Sequence, residues 1–301
     1  MPEIRRILCP IDFSDASRHA LDHAVAFARW FGSRITALHV CNPVFLPNPP
    51  ILFAESPGGV LPTEADRQHL ENRLREWLMP ANAAGLQTDI LLEERNNPAG
   101  RILEHAIALS ADLIVMGTHG RGGFERLMLG SVTEKVVRKA NCPVLTVPPP
   151  TVATSKLPFK QLLCPVDFSE PSISALAFAF SIAQESDARL TILHVFDWPS
   201  DQELLVERAF DVPEFRRQIE DQARHRLDAL IPVDARNWCV PEPKLRYGKP
   251  YREILAVAET EPIDLVVMGV HGRNALDVML FGSTTNHVVR RASCPVLTLR
   301  K

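Results

Sequence analysis

Two features that define large protein classes are missing from this sequence. Apolar residues nowhere run uninterrupted for the roughly 18 positions of a membrane-spanning helix. A basic excess is also missing, because 33 Lys and Arg stand against 36 Asp and Glu, with a formal net charge of −3. Nucleic acid as the main partner would require a basic field. We therefore set aside membrane-spanning and nucleic-acid-binding classes. Since no apolar stretch of signal-peptide length opens the chain, we expect a cytoplasmic location.

Several catalytic motifs are lacking as well. The sequence contains no P-loop pattern G-x4-G-K-[ST], no G-x-S-x-G nucleophile elbow and no H-E-x-x-H zinc helix. The H-x-G-H and K-M-S-K-S-like signatures of nucleotidyl-transfer enzymes are absent too. No nucleophile stands beside a base in a pattern that indicates covalent catalysis. The sequence therefore predicts a binding protein and not an efficient enzyme.

The six cysteines do not form the pattern of a metal or redox site. They include no C-x-x-C pair and no Cys/His cluster. Cys9 and Cys164 lie in matching CP dipeptides, and Cys142 and Cys294 lie in matching CPVLT runs. Thiols in strand-like sequence are typical of reduced core residues, so we predict a structural role and no metal site.

What the sequence does contain is an internal repeat. The segment IRRILCPIDFSDAS, from Ile4, matches KQLLCPVDFSEPS, from Lys160, and RITALHV, from Arg34, matches RLTILHV, from Arg189. A proline-rich stretch separates the two copies and is typical of a linker. We predict two domains, residues 1–148 and 159–301, joined by a linker at residues 149–158.

Within each copy, strand-length apolar runs alternate with stretches whose apolar residues have helical spacing. Continuously apolar strands that alternate with helices indicate a parallel sheet covered on both faces. We predict in each domain an α/β, Rossmann-like, doubly wound sheet of five parallel strands in the order 3-2-1-4-5. That order creates a switch point between the first and fourth strands, which is where such sheets bind ligands.

A glycine pattern, G-x2-G-x9-G-S, follows the fourth strand of each copy. It comprises Gly117, Gly120, Gly130 and Ser131 in the first copy and Gly269, Gly272, Gly282 and Ser283 in the second. A glycine loop between a strand and a helix N-terminus is a common phosphate-binding arrangement. We predict positive φ angles at Gly117 and Gly120, and a capping box formed by Ser131 and Glu134. Alternatively, these glycines serve only tight turns.

Asp12 and Asp167 follow the first strand of each copy, across the switch point from the glycine loop. Such an Asp either accepts hydrogen bonds from ribose hydroxyls or caps the following helix. His39 and His194 alternate within strands, and we interpret them as core residues. His119, inside the glycine loop, either contacts phosphate or caps the turn.

Together these residues resemble the universal stress protein family in its tandem form. The resemblance covers essentially the whole chain, through PIDFS and PVDFS, two LHV runs, and two glycine motifs that are each followed by CPVL. It implies an ATP-binding α/β domain, often dimeric, that acts in stress tolerance. It also implies that Asp12 and Asp167 contact the ribose, that the backbone at Val40 and Val195 contacts adenine, and that the glycine motifs hold the phosphates.

The expected function is an ATP-binding regulatory protein of the stress response, with ATP bound together with magnesium and hydrolysed slowly if at all. We expect the first domain to bind more tightly, because Asn274 and Ala275 replace two loop glycines in the second. The two domains are expected to pair within the chain, and a homodimer and an unknown protein partner are further expectations. Two alternatives stay open: a nucleotide-free scaffold or chaperone-like protein, and a binder of an apolar ligand along residues 44–53.

Overall fold

The computed structural model describes residues 3–41, 63–94, 96–119, 129–149, 159–197, 212–270 and 282–300. These residues belong to two compact units, one within residues 3–149 and the other within residues 159–300. Most of the predicted linker lies outside the described residues, so the predicted domain boundaries stay a prediction.

The first unit alternates strands and helices along its described length. Its strands are β1 (Arg6–Pro10), β2 (Arg34–Cys41), β3 (Thr88–Glu94), β4 (Leu113–Gly117) and β5 (Val144–Val147). Its helices are α1 (Asp15–Phe31), α2 (Glu64–Ala83), α3 (Pro98–Ala108) and α4 (Ser131–Lys139). The strands pair in parallel in the order β3-β2-β1-β4-β5. The predicted order 3-2-1-4-5 is therefore confirmed.

The second unit repeats this arrangement. Its strands are β6 (Gln161–Pro165), β7 (Arg189–Phe196), β8 (Val240–Tyr247), β9 (Leu265–Gly269) and β10 (Val296–Leu299). Its helices are α5 (Glu170–Ser186), α6 (Val212–Ala229), α7 (Pro250–Thr260) and α8 (Ser283–Arg291), and a short 3-10 helix, Ala235–Asn237, precedes β8. The order β8-β7-β6-β9-β10, again parallel, matches the first unit strand for strand.

Local sequence explains where the first helix starts and stops. The Ser14 side chain accepts a hydrogen bond from the Ser17 N–H and so caps α1. Gly32 ends the helix in the left-handed region with a φ of 65°, which glycine adopts without steric cost. Every residue of β4 and β5 is buried, because helices cover both faces of a parallel sheet.

One acidic residue ties the first strand to the fourth in each unit. Asp112, just ahead of β4, accepts hydrogen bonds from the backbone N–H groups of Arg5 and Arg6 through Oδ2, both at 2.9 Å. Asp264 accepts in the same way from Lys160 and Gln161. Because backbone donors at the start of one strand bond to one carboxylate, β1 and β4 keep a fixed register and their carboxyl ends lie side by side.

The cysteines are core residues, as predicted. All are buried except Cys142, which is partly exposed, and burial raises the pKa of the Cys9 thiol to about 12. In the part of the chain that the structure describes, no helix is both long and apolar enough to cross a membrane.

Candidate functional site

The first turn of α1 packs directly on the end of β4. A Cβ atom added to Gly117 would lie 3.0 Å from the carbonyl carbon, the carbonyl oxygen and the Cβ of Ala16. Gly269 stands against Pro171 in the second unit at the same 3.0 Å. Ala16 lies only four residues beyond Asp12. The structure therefore brings the Asp12 turn and the start of the glycine loop together at the switch point.

This contact corrects the role predicted for Gly117. The described glycines with positive φ are Gly32, Gly85 and Gly248, so the expected left-handed conformation at Gly117 is wrong. Gly117 is needed because a side chain would collide with the α1 backbone. Gly120 and Gly272, for which the same conformation or loop role was expected, lie outside the described residues.

The predicted capping box at Ser131 is also wrong. Gly130 is the N-cap, with a φ of −59° and a ψ of 137°, and its carbonyl accepts the Glu134 N–H at 2.9 Å. Ser131 is the first helical residue, so Glu134 lies one position beyond the place that a capping box requires. The Thr133 hydroxyl instead donates to the Gly117 carbonyl at 2.9 Å and anchors α4 on the end of β4.

Glycine at the N-cap leaves the start of α4 without a side-chain cap among the residues that the structure describes. The first N–H groups of a helix have no partner within the helix, and they carry the positive end of its dipole. At α1, the Ser14 side chain accepts from one of these donors, whereas no side chain in the described ranges caps α4. This helix start can therefore accept an anionic group.

The start of α8 has the same construction in the second unit. Gly282 is the N-cap, with a φ of −55° and a ψ of 132°, and no described side chain caps the helix. The Thr285 hydroxyl donates to the Gly269 carbonyl at 2.9 Å, and the Gly282 N–H donates to the Val270 carbonyl at 3.1 Å. Ser283, like Ser131, begins the helix and is not its cap.

Asp12 and Asp167 take part in the turns that precede α1 and α5. Asp12 Oδ1 accepts from the Ser14 N–H at 3.0 Å and from the Ser14 hydroxyl at 2.5 Å. Asp167 accepts from Ser169 at the same two distances. Each Asp therefore stabilises its turn, whereas the N-cap of the following helix is Ser14 at α1 and Ser169 at α5. The contact with ribose stays a prediction.

Phe13, between Asp12 and Ser14, was missed by sequence reasoning. Its φ is 62°, and the matching Phe168 has a φ of 64°. A bulky residue in the left-handed region is uncommon, and such strain costs on the order of 1–3 kcal/mol. The repeated tripeptide Asp-Phe-Ser was the available signal, because a repeated motif that includes a bulky apolar residue requires a partner for its ring.

The rings of Phe13 and Phe168 each contact a buried histidine. The ring centroids of Phe13 and His39 are 4.7 Å apart, as are those of Phe168 and His194. His39 Nδ1–H donates to the Ile11 carbonyl at 2.6 Å, which confirms the interpretation of this histidine as a core residue. His194 bonds to the Val166 carbonyl at 2.7 Å in the same way.

Val40 and Val195 lie near the carboxyl ends of β2 and β7 and are half-buried. They therefore lie at the edge of the sheet that carries Asp12 and Gly117 in the first unit and Asp167 and Gly269 in the second. Their predicted backbone contact with adenine stays a prediction.

His119 follows β4 at the start of the glycine loop. Its Nδ1 and the Thr118 hydroxyl are 2.8 Å apart, and its Nε2 is buried with no hydrogen-bond partner in the described ranges. Burial lowers the pKa of His119 below its ordinary value of 6.5. The neutral imidazole is therefore the favoured form in the folded protein.

Lowering the pH is expected to reduce the folding stability of the first domain, and His119 is the residue responsible. The unfolded chain protonates this histidine near pH 6.5, whereas the folded chain resists protonation, so stability decreases as the pH falls through and below 6.5. Urea midpoints at about pH 8 and about pH 5.5 measure the effect. His119→Gln is expected to show a smaller decrease between these two conditions. An unchanged decrease in the variant would contradict the assignment.

Comparison with known proteins identifies the family of this chain. The model of the Universal stress protein family matches residues 3–148 and again residues 158–300. The chain belongs to the universal stress protein family. The double match means that two domains of the family follow one another in tandem, as the repeat indicated.

Relatives of the family match either the tandem or a single domain. A universal stress protein of Mycobacterium tuberculosis is 28% identical over 276 residues, which is 89% of this chain and 87% of the relative. One from Thermus aquaticus is 38% identical over 147 residues, covering 48% of this chain and 98% of its own length. The crystal structure of a universal stress protein from Archaeoglobus fulgidus covers 100% of this chain and 97% of its own at 22% identity and a TM-score of 0.67. This likeness shows the tandem fold.

Proposed function

We propose that each domain binds ATP at its switch point and that the chain is a nucleotide-dependent regulatory protein of the stress response. The proposal rests on one observation. Because Gly117 has no side chain, the turn that holds Asp12 lies close to the end of β4, and α4 begins at the same edge of the sheet with no described side chain as its cap. A polar group for the sugar and free backbone donors for phosphate are the two parts that a nucleotide site needs.

The phosphates are assigned to the starts of α4 and α8. In the first domain Gly117, Gly120, Gly130 and Ser131 surround them, and in the second domain Gly269, Gly272, Gly282 and Ser283 do so. The ribose is assigned to Asp12 and Asp167, and the adenine to the backbone at Val40 and Val195. Glycine at the N-cap supports this assignment, because a Ser or Asp there would occupy the donors that phosphate requires.

Magnesium is proposed to enter with the nucleotide. The described residues contain no group of three or more His, Cys, Asp or Glu side chains that could hold a metal ion. Magnesium commonly binds through substrate phosphates and waters with only one or two carboxylates, so the donor set here fits a phosphate-bound ion. When bound, the ion would screen phosphate charge. The residues of the proposed site include none with the role of activating water, so we expect hydrolysis to be slow.

The first domain is proposed to bind more tightly than the second. The argument rests on the glycines at positions 122 and 123, which lie outside the described residues. One described difference favours phosphate binding in the second domain, because Glu134 in the first turn of α4 corresponds to the neutral Asn286 in α8. A carboxylate near phosphate repels it, although the effect of a partly exposed charge is small. We retain the proposal because loop glycines permit the closest backbone approach.

Regulation is proposed to follow from a difference between the ATP-bound and ATP-free states. A ligand shifts a conformational equilibrium only when it binds one state better, and a loop that closes over phosphate supplies that difference. The proposal includes pairing of the two domains within the chain, a partner protein that distinguishes the states, and a cytoplasmic location.

The direct test is the nucleotide that copurifies with the chain. We expect the supernatant of denatured, purified protein to contain ATP at up to two molecules per chain, and stripped protein to rebind ATP. The double variant Asp12→Asn, Asp167→Asn is expected to contain at least about tenfold less, since each change removes a charged acceptor worth roughly 1.5–3 kcal/mol. Protein that neither contains nor rebinds ATP would support the scaffold or apolar-ligand alternatives. Residues 44–53, on which the latter rests, lie outside the described residues.

A further inference from the structure

We propose that Phe13 and Phe168 are positioning residues, clamped by arginines on α2 and α6, that aim the Asp12 and Asp167 carboxylates at the ribose. This inference rests on the proposed ATP site and names how that site is controlled. The structure shows the same unusual turn, with the same kinds of partner, in both domains.

The turn at Phe13 is fixed on each side. Before it, His39 Nδ1–H binds the Ile11 carbonyl at 2.6 Å. After it, Ser14 donates twice to Asp12 Oδ1. The direction of the Asp12 carboxylate therefore depends on the backbone at Phe13, whose φ of 62° is unfavourable for a bulky residue.

Helix α2 supplies the contact that offsets this strain. The Arg73 guanidinium lies 4.0 Å from the centre of the Phe13 ring, and the Trp77 ring meets the Phe13 ring edge-on at 5.3 Å. Arg18 in turn covers Trp77 at 3.9 Å and donates to its carbonyl at 3.2 Å. A cation over an aromatic face is attracted by the ring's negative face, so Arg73 helps to hold Phe13 in the left-handed region.

The second domain has the same clamp on a helix of different sequence. Arg226 of α6 lies 3.8 Å from the centre of the Phe168 ring. Phe168 also contacts His194, which binds the Val166 carbonyl. Two helices with different sequences therefore each place an arginine on the strained phenylalanine ring of their own domain.

This geometry couples each helix to the sugar end of its site. Weakening the clamp allows the Phe13 backbone to return to a negative φ, and the Asp12 carboxylate then changes direction. ATP should lose its ribose contact, whereas the phosphate donors at α4, on the other side of the switch point, should be unaffected. Movement of α2 is thereby expected to change the affinity for nucleotides that carry ribose hydroxyls.

The test compares ATP with 2′,3′-dideoxy-ATP, which lacks both hydroxyls. In the full chain, the double substitution Arg73→Met, Arg226→Met keeps the apolar stem of each side chain and removes the cation. We expect ATP affinity to fall by roughly fivefold, and the affinity for the dideoxy compound to stay within about twofold. The double Arg→Lys variant retains a cation and is expected to restore most of the ATP affinity.

A matched control is available on the same two helices. Arg75 and Arg224 are exposed, and Arg75 pairs with Glu71. Arg75→Met with Arg224→Met is expected to leave both affinities unchanged. A second variant, Phe13→Leu with Phe168→Leu, removes the ring faces and is expected to reproduce the selective loss of ATP affinity.

The outcomes separate this inference from the proposed function. Equal weakening of both compounds by Arg→Met, or no weakening of either, would overturn the inference while the unmodified chain still binds ATP. If the unmodified chain fails to bind ATP, or binds it no better than the dideoxy compound, the proposed ATP or ribose contact fails, and this inference fails with it. Thermal melts of each variant show that the folded chain is being measured.

Discussion

Gly130→Asp is expected to lower the ATP affinity of the first domain by at least about tenfold without lowering its melting temperature. Asp is a preferred N-cap residue, and Gly130 already has the extended ψ of 137° that an N-cap needs. The new carboxylate would accept from the first-turn N–H groups of α4 and would repel phosphate. A loss of about 1.4 kcal/mol in binding corresponds to the tenfold change.

The control for this prediction is Gly130→Ala. Its Cβ would approach the Thr118 carbonyl oxygen to 3.3 Å, as the Cβ of Asp would, but it brings no carboxylate. Isothermal titration of stripped protein measures both variants. We expect Ala to retain most of the affinity. If Ala and Asp lose affinity equally, the cause is steric and the proposed competition for the helix N-terminus is wrong.

Gly282→Asp tests whether the two domains differ. We expect it to remove less of the total bound ATP than Gly130→Asp does, because the first domain is proposed to be the tighter site. An unchanged ATP content in Gly130→Asp together with complete loss in Gly282→Asp would reverse that order.

Gly117→Val is expected to reduce both the stability and the ATP binding of the first domain. Any Cβ at this position meets the Ala16 backbone at 3.0 Å, so the branched side chain must displace the start of α1. Overpacking of this kind typically costs about 1–3 kcal/mol. Displacement of α1 is also expected to move Asp12, which lies in the turn just before this helix. Urea unfolding and ATP titration of the same sample measure the two effects.

Val115→Ala is the matched control because Val115 lies on the same strand and is fully buried. This substitution leaves a cavity, which also costs on the order of 1–3 kcal/mol, but it does not push α1. We expect it to retain ATP binding. If Gly117→Val and Val115→Ala bind ATP equally well, the contact between Gly117 and Ala16 has no role in the site.

Much of the fold was predictable because it follows from local sequence and its repetition. The periodicity predicted the alternation of strands and helices that each unit shows. The strand order 3-2-1-4-5 was also predicted and is confirmed. The family, too, was identified from the repeated motifs, and the two matched regions confirm it.

The details of the site were less predictable, because each depends on a contact distant in sequence. The capping box at Ser131 was expected from spacing alone, whereas the Thr133 hydroxyl binds the Gly117 carbonyl, sixteen residues away, and sets where α4 begins. Positive φ at Gly117 was expected from residue type, whereas the approach of Ala16 explains the glycine. The repeated Asp-Phe-Ser tripeptide marked Phe13 as a residue of interest, but its backbone strain was not predictable, because Arg73 lies on a helix far along the chain.

The sequence by itself determined the tandem architecture, the parallel sheets and the edge at which the glycine motif lies. These follow from periodicity, from a short-range alternation of strands and helices, and from a repeat that can be read without coordinates. Only the tertiary structure decided that Gly130 and not Ser131 occupies the N-cap position of α4, that Gly117 admits the first turn of α1, and that a strained phenylalanine precedes that turn. The physical reason is that caps, close approaches and backbone strain are settled by atoms that meet across the fold, and residue spacing along the chain does not encode those distances.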